Sequence, residues 1–199
     1  MPNSVLTVTE AATAFNIVDL GVVRSALGIV DSSEDTALTG FLNRASDVIA
    51  RHCKRTFALE TVQEQFRLDR WREELILSRY PVVEVASIVE AGLTVVPGDY
   101  EIDKAKGILS RLHQDRPCWW PAHKIVVTYS AGYDLPADAP EALQQACIQL
   151  VKSYYMSSDR DPMVRSESID DVSAASYFGI GGHLPPDVSA LLKQFRKLK

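Results

Sequence analysis

The apolar positions of this chain change period twice. From about residue 33 to 54, Leu38, Phe41, Leu42, Ala45, Val48, Ile49 and His52 recur at helical spacing, which predicts a long helix that buries one stripe. Ser32 or Ser33 offers an N-cap, Glu34 and Asp35 put acids in the first turn, and Lys54 and Arg55 close the C-terminal end as the helix dipole favours. From about Thr56 to Ser130 the apolar residues fall instead into short runs such as Leu75-Ile76-Leu77 and Val82-Val83, broken by Pro81, Gly92, Pro97-Gly98 and Gly107. These predict a meander of short antiparallel strands. The β-branched run Ile125-Val126-Val127-Thr128 is the last of them, and Gly132 lets the chain turn out of it. Helical spacing then returns near 139–156, with Asp138 as N-cap, Pro140 just inside, Glu141 three residues on, and a stripe of Leu143, Ala146, Cys147, Leu150, Val151 and Tyr154.

Three flanking segments complete the pattern. Thr9 to Gly28 reads as a helical lead-in, Thr9-Glu10-Ala11-Ala12 first and then Val22, Val23, Ala26 and Leu27. Ser157 to His183 is rich in Ser, Asp, Arg and Gly with isolated apolar residues, which predicts a long connection that is mobile on its own. Pro185-Pro186 opens a last helix with Val188, Leu191, Leu192 and Phe195 on one face. The predicted fold class is α+β, mainly a helical bundle (helices about 9–55 and 139–199) with an antiparallel β lobe inserted at about 56–132, in a single domain over 1–199.

Composition narrows this little. A chain of 199 residues, 46% hydrophobic and 24% charged, buries roughly 70% of its unfolded surface in one core and needs no disulfide or metal staple. No apolar run approaches the ~20 residues of a membrane span, and the N-terminus lacks the basic and apolar regions of a secretory signal, so the expectation is a chain made in the cytoplasm with no membrane partner. The formal charge of −5 argues against a protein that grips phosphate backbone over a wide face.

Candidate chemistry is sparse. His52, Cys53, Cys118, His123 and Cys147 include no close pair of the kind a zinc site uses, and reduced, partly buried thiols with ordinary histidines account for them. Asp99, Glu101 and Asp103 alternate along a strand and read as a solvated acidic face rather than a calcium site. The Gly179–Gly182 stretch follows no strand and has no Lys-Ser/Thr, so backbone flexibility explains it better than a phosphate loop. Trp119, Trp120 and Tyr133 read as packing at the base of the β lobe rather than as a stacking platform for nucleic acid. No catalytic residue, cofactor site or metal site is expected, and the chain is not expected to be an enzyme.

A strand ending Thr128-Tyr129-Ser130-Ala131-Gly132-Tyr133, followed by a Pro-containing link and Ala142-Leu143-Gln144-Gln145-Ala146, then Leu150-Val151 and Tyr154-Tyr155, resembles the head-tail connector (adaptor) proteins of long-tailed DNA bacteriophages, prophages and gene transfer agents. Tyr80-Pro81-Val82-Val83-Glu84-Val85-Ala86-Ser87-Ile88, the Tyr100–Asp103 and Gly107–Leu109 hairpin ahead of Trp119-Trp120, and the closing Pro, Val, Leu-Leu and aromatic-Arg series resemble the same family in the same order. The resemblance implies a structural virion protein at the head-tail interface. It would form a twelve-fold homo-oligomeric ring between the portal protein and the tail or head-completion protein, extending a channel through which DNA passes without sequence-specific binding. The resembling connectors hold the portal with their C-terminal ends. Here Lys193, Arg196, Lys197 and Lys199 continue past the last apolar anchor, Phe195, and form the expected portal-docking end. In the 157–183 arm, Val164, Ile169, Tyr177 and Phe178 are the expected anchors on a neighbouring subunit. The rival readings are a DNA-packaging accessory factor that binds DNA, which needs a basic face, and an enzyme of unknown type, which needs a cleft of convergent ionisable groups.

Overall fold

The computed structural model describes residues 3–158, 166–169, 173–176 and 184–196. Along the chain the elements are β1 (Asn3–Glu10), α1 (Leu20–Leu27), α2 (Asp35–Cys53), β2 (Glu60–Arg67), β3 (Glu74–Ile76), β4 (Val82–Glu90), β5 (Leu93–Thr94), β6 (Tyr100–Asp103), β7 (Ile108–His113), β8 (Arg116–Cys118), β9 (Lys124–Ala131), α3 (Glu141–Ser157), β10 (Ser166–Ile169), β11 (Ser173–Ser176) and α4 (Pro186–Leu192). They fall into two compact units, each assembled from two separate pieces of chain. One takes the residues up to Ala14 together with Thr56–Asp134, and the other takes Phe15–Arg55 together with the residues from Leu135 onward.

The first unit is built on strands, with one short 3-10 turn at Pro97–Asp99. A five-stranded antiparallel sheet runs β1-β2-β9-β4-β5, and a four-stranded one runs β3-β7-β6 with β8 also paired to β7. Period-2 alternation puts Glu60, Val62, Glu64 and Phe66 of β2 and Ile125, Val127, Tyr129 and Ala131 of β9 on the buried face. With Leu75 and Leu109 from the second sheet and Trp120 just after β8, the apolar ones make one core. The indole N–H of Trp120, fully buried, donates to the Leu109 carbonyl at 3.1 Å.

The second unit is helical and includes the β10–β11 pair. Asp19 caps α1 by accepting from the Gly21 amide at 2.7 Å, and Gly28 ends it in the left-handed region at φ 72°. The stripe of α2 is buried at Leu38, Leu42, Ala45 and Ile49, with Ser46 and Cys53 beside them. Leu143, Ala146, Cys147, Leu150 and Val151 of α3 are buried as their spacing predicts, and α3 packs on α1, α2 and α4. Because Leu150 is 2% exposed, Leu150→Ala is expected to cost ~2–5 kcal/mol by leaving a cavity. A denaturant midpoint unchanged by that substitution would count against the packing.

Four expectations are corrected. The fold is not mainly a helical bundle with a β lobe: nine strands in two antiparallel sheets form a whole unit, against four α-helices among the described residues. Short strands split by turns announce themselves less than a long stripe does, which is why the sequence overweights helix. The lead-in at Thr9-Glu10-Ala11-Ala12 is not helical, since Thr9 and Glu10 end β1 and the next two residues are irregular. The strands are not a simple meander, because β9 lies between β2 and β4. Finally, the two long helices start later than their caps suggested. Asp31 takes the Ser33 amide at 2.9 Å and the Ser33 hydroxyl, turning the chain before α2. Pro140, not Asp138, is at the α3 N-cap, where Gln144 Nε2 donates to the Ala139 carbonyl at 2.7 Å. No helix among the described residues is long and apolar enough to cross a membrane.

Candidate assembly surfaces

At the heart of the strand unit a buried carboxylate ties three segments together. Glu64, 0% exposed, accepts from the Ser78 amide (2.8 Å) and the Tyr129 hydroxyl (2.8 Å) on Oε2 and from the Ser78 hydroxyl (2.6 Å) on Oε1. The Arg79 amide donates to the Tyr129 oxygen at 3.2 Å, and the Arg79 guanidinium lies 3.5 Å from Glu60. Burial, then the neighbouring Glu64 charge, pushes the Tyr129 phenol far above its ordinary 10.0, so it stays a donor. The network is absent from the expectations drawn from sequence. Its signal was present, since strand alternation puts Glu60 and Glu64 in phase with Val62 and Phe66.

The outward face of the four-stranded sheet carries mixed chemistry. Glu74, Ser110 and Glu101 form one cross-strand row and Ile76, Ile108 and Asp103 the next. Asp99 does not share this face as expected. It sits in the 3-10 turn Pro97–Asp99, where its carbonyl accepts from Arg111 Nη1 at 2.6 Å and its carboxylate lies 3.7 Å from the same atom. Asp103 is held by the Lys106 side chain and amide, each at 3.1 Å, which lower its pKa. The two neighbouring tryptophans divide: Trp120 is core, whereas Trp119 is 51% exposed.

Two places leave strands without further partners among the described residues. The outer edge of β1 pairs with nothing among the described residues, and β10 and β11 pair only with each other, Ser166 opposite Ser176 through Ile169 opposite Ser173.

The C-terminal cations gain company from another helix. The buried Cys53 thiol, at the end of α2, approaches the Leu192 carbonyl at the end of α4 within 4.0 Å. Arg55 and Arg196 both act on that thiol, opposing the burial that pushes it up to about 11. The basic feature is therefore composite, with exposed Lys54, Lys193 and Arg196 among its members. Cys147 is likewise buried and pushed up to about 11 by burial, with Ser46 Oγ 3.9 Å away, while Cys118 is half-buried. Among the described residues no three His, Cys, Asp or Glu side chains are grouped to hold a metal ion.

Of the residues singled out from sequence, Lys193 and Arg196 are exposed and Phe195 half-buried in and after the short turn that follows α4. Ile169 ends β10. Lys197, Lys199, Val164, Tyr177 and Phe178 lie outside the described residues.

The family model described as head completion protein matches residues 16–198. Among solved structures the chain is similar to a chain from the neck of an empty gene transfer agent particle computed with C6 symmetry (TM-score 0.61, 19% identity, 98% of this chain and 96% of that one). Similar chains occur in the virion of a native gene transfer agent particle (0.60, 20%, 98% and 96%). A third is in the native neck computed with C12 symmetry (0.58, 20%, 98% and 96%). At these identities the likeness is one of fold. No curated protein matches the chain by sequence.

Proposed function

The chain belongs to the head completion protein family, and from that membership we propose that it is a structural protein of the virion neck. In this reading it forms a twelve-fold ring between the capsid portal and the tail or next connector and extends the DNA channel. The observation that carries the reading is the reach of the family match, residues 16–198, which takes in strands and helices of both units. The likeness of fold to chains from gene transfer agent necks supports it. A net charge of −5 suits a channel wall that lets DNA pass without holding it.

The composite basic end gives the ring a handle on an acidic portal surface. Lys193, Phe195, Arg196, Lys197 and Lys199 supply it from the C-terminus, and Lys54 and Arg55 extend it. Cations at helix C-termini also complement the dipoles, worth ~0.3–1 kcal/mol each, so deletion has to separate the two roles. A chain ending at Phe195 is expected to fold, its thermal midpoint lowered by no more than the lost dipole contacts cost, yet to join DNA-filled heads from a strain lacking this gene at least ~10-fold more slowly at low salt. Full-speed joining would reduce the end to a helix terminus. If the full chain itself failed to join such heads and to permit tail attachment, the neck reading would fall.

A further inference from the structure

An edge strand whose outer side has no partner among the described residues needs an explanation. β1 is eight residues long and pairs with β2 without interruption from Asn3 to Val8. Its sequence, Asn-Ser-Val-Leu-Thr-Val-Thr-Glu, has no Lys, Arg or Pro and carries its single charge at the far end. Val5 is 54% and Val8 40% exposed. Proteins that work alone blunt such an edge with charge, proline, brevity or a covering element, because its free N–H and C=O groups template pairing with another chain. The opposite edge of this sheet is blunted in that way, since β5 has two residues. The outer edge strand of the second sheet, β6, has four residues and carries Glu101 and Asp103.

The β10–β11 hairpin is incomplete in the complementary sense. Among the described residues these two four-residue strands pair only with each other, and a two-stranded hairpin alone is marginal in water. Its segments, Ser-Glu-Ser-Ile and Ser-Ala-Ala-Ser, contain neither proline nor Lys or Arg to block a further strand. One chain thus carries a template and a segment to add to it. A ring requires that arrangement, since its contacts are heterologous and join two different patches of the same protomer.

We propose that the β10–β11 hairpin of one subunit pairs along β1 of its neighbour, so that the five-stranded sheet continues across the subunit boundary by strand addition. The proposal rests on the ring-forming neck reading above and gives that ring its intersubunit contact. It also assigns the occupant, a second copy of this chain rather than a strand of the portal or tail protein.

The test uses full chains in a Cys118→Ser background, where the remaining native thiols, Cys53 and Cys147, are buried. Chains with Thr7→Cys and chains with Ala174→Cys, carrying different tags, are mixed, assembled on DNA-filled heads and treated with a short bismaleimide. The expected result is a cross-linked pair bearing both tags in assembled necks and not in free subunits. The outward amides of residues 3–10 should also exchange hydrogen at least ~10-fold more slowly in necks than in free subunits. Replacing 166–176 by a Gly-Ser segment of equal length should remove that protection. Retained protection in the replaced chain means that another protein's strand covers β1, and exchange in the neck as fast as in the free subunit means that nothing does. Either result overturns the proposal, as does absence of the two-tag product. The cross-link decides even if the replaced chain fails to fold. Failure of the unmodified chain to enter heads is a separate outcome and strikes the neck reading itself.

Discussion

Gly132→Ala is expected to destabilise the chain by about 4 kcal/mol, from backbone strain of ~1–3 kcal/mol and a similar cost of overpacking. Gly132 follows β9 at φ 120°, a conformation that L side chains rarely adopt. A Cβ there would lie 2.3 Å from the Ala58 carbonyl oxygen and 2.6 Å from its carbon, and these are backbone atoms rather than the end of a flexible side chain. The neighbourhood leaves no room to relax. The Gly132 amide donates to the Pro81 carbonyl at 2.9 Å, the Tyr133 amide to Phe57 at 2.8 Å, and the Leu59 amide to Tyr133 at 2.9 Å. A loss of that size is a large share of the ~5–15 kcal/mol typical of whole domains, and should lower the thermal midpoint by roughly 8–16 °C. Gly40→Ala is the control. Gly40 lies inside α2, and a Cβ added to it would meet nothing within 4 Å, so alanine there should stabilise by ~0.5–1 kcal/mol. Equal midpoints for the two variants would show that the close approach at Gly132 is not real.

Glu64→Ala is expected to cost ~2–5 kcal/mol, from the buried donors it leaves unsatisfied and the cavity it opens. It takes the acceptor from the Ser78 amide, the Ser78 hydroxyl and the Tyr129 hydroxyl at once. The hydroxyls can turn, but a backbone amide cannot, and an unsatisfied buried donor costs ~1–3 kcal/mol. Tyr129→Phe removes one donor to Glu64 and the acceptor of the Arg79 amide, so ~1–2 kcal/mol is expected there. The raised phenol pKa fixes the sign of the pH dependence. The contribution of Tyr129 is complete below about pH 10, the ordinary value, and falls away at higher pH as the unfolded phenol ionises first. Urea titrations of the three proteins at pH 8 decide the matter, and a Glu64→Ala midpoint equal to the parent's would mean that water satisfies these donors.

Legibility in the sequence followed burial on one side. The stripes of α2 and α3 were readable because a helix that buries one face must repeat its apolar residues, and Leu38, Leu42, Ala45, Ile49, Leu143, Leu150 and Val151 do so. β1 was missed for the converse reason: only Leu6 is partly buried against the core, so Ser4 to Thr9 shows β-branched composition but too weak a buried phase to set against the helical pattern that follows. Glu64 was missed because a carboxylate reads as a surface residue until its strand phase is counted. Asp99 was placed on a strand face by spacing alone, whereas Pro97-Gly98 turns it toward Arg111. The composite basic end was half visible. Lys193 and Arg196 stand close together in sequence, but nothing in the sequence brings Arg55 beside them.

The position of β9 in the sheet dictates an order of events during synthesis. β9 is paired on both sides, with β2 along one edge and β4 along the other, yet it leaves the ribosome after both of them. At about 5–20 residues per second, β2 and β4 wait for seconds with their inner edges unpaired, and the buried carboxylate of Glu64 waits with them for Tyr129. The helical unit waits longer, since α2 precedes β2 and its partners α3 and α4 follow β9. Neither unit can close on its earlier piece of chain alone: the strand unit needs β9 and the helical unit needs α3 and α4. A messenger truncated before β9 therefore yields no half-built strand unit, only exposed strands for the quality-control machinery to remove.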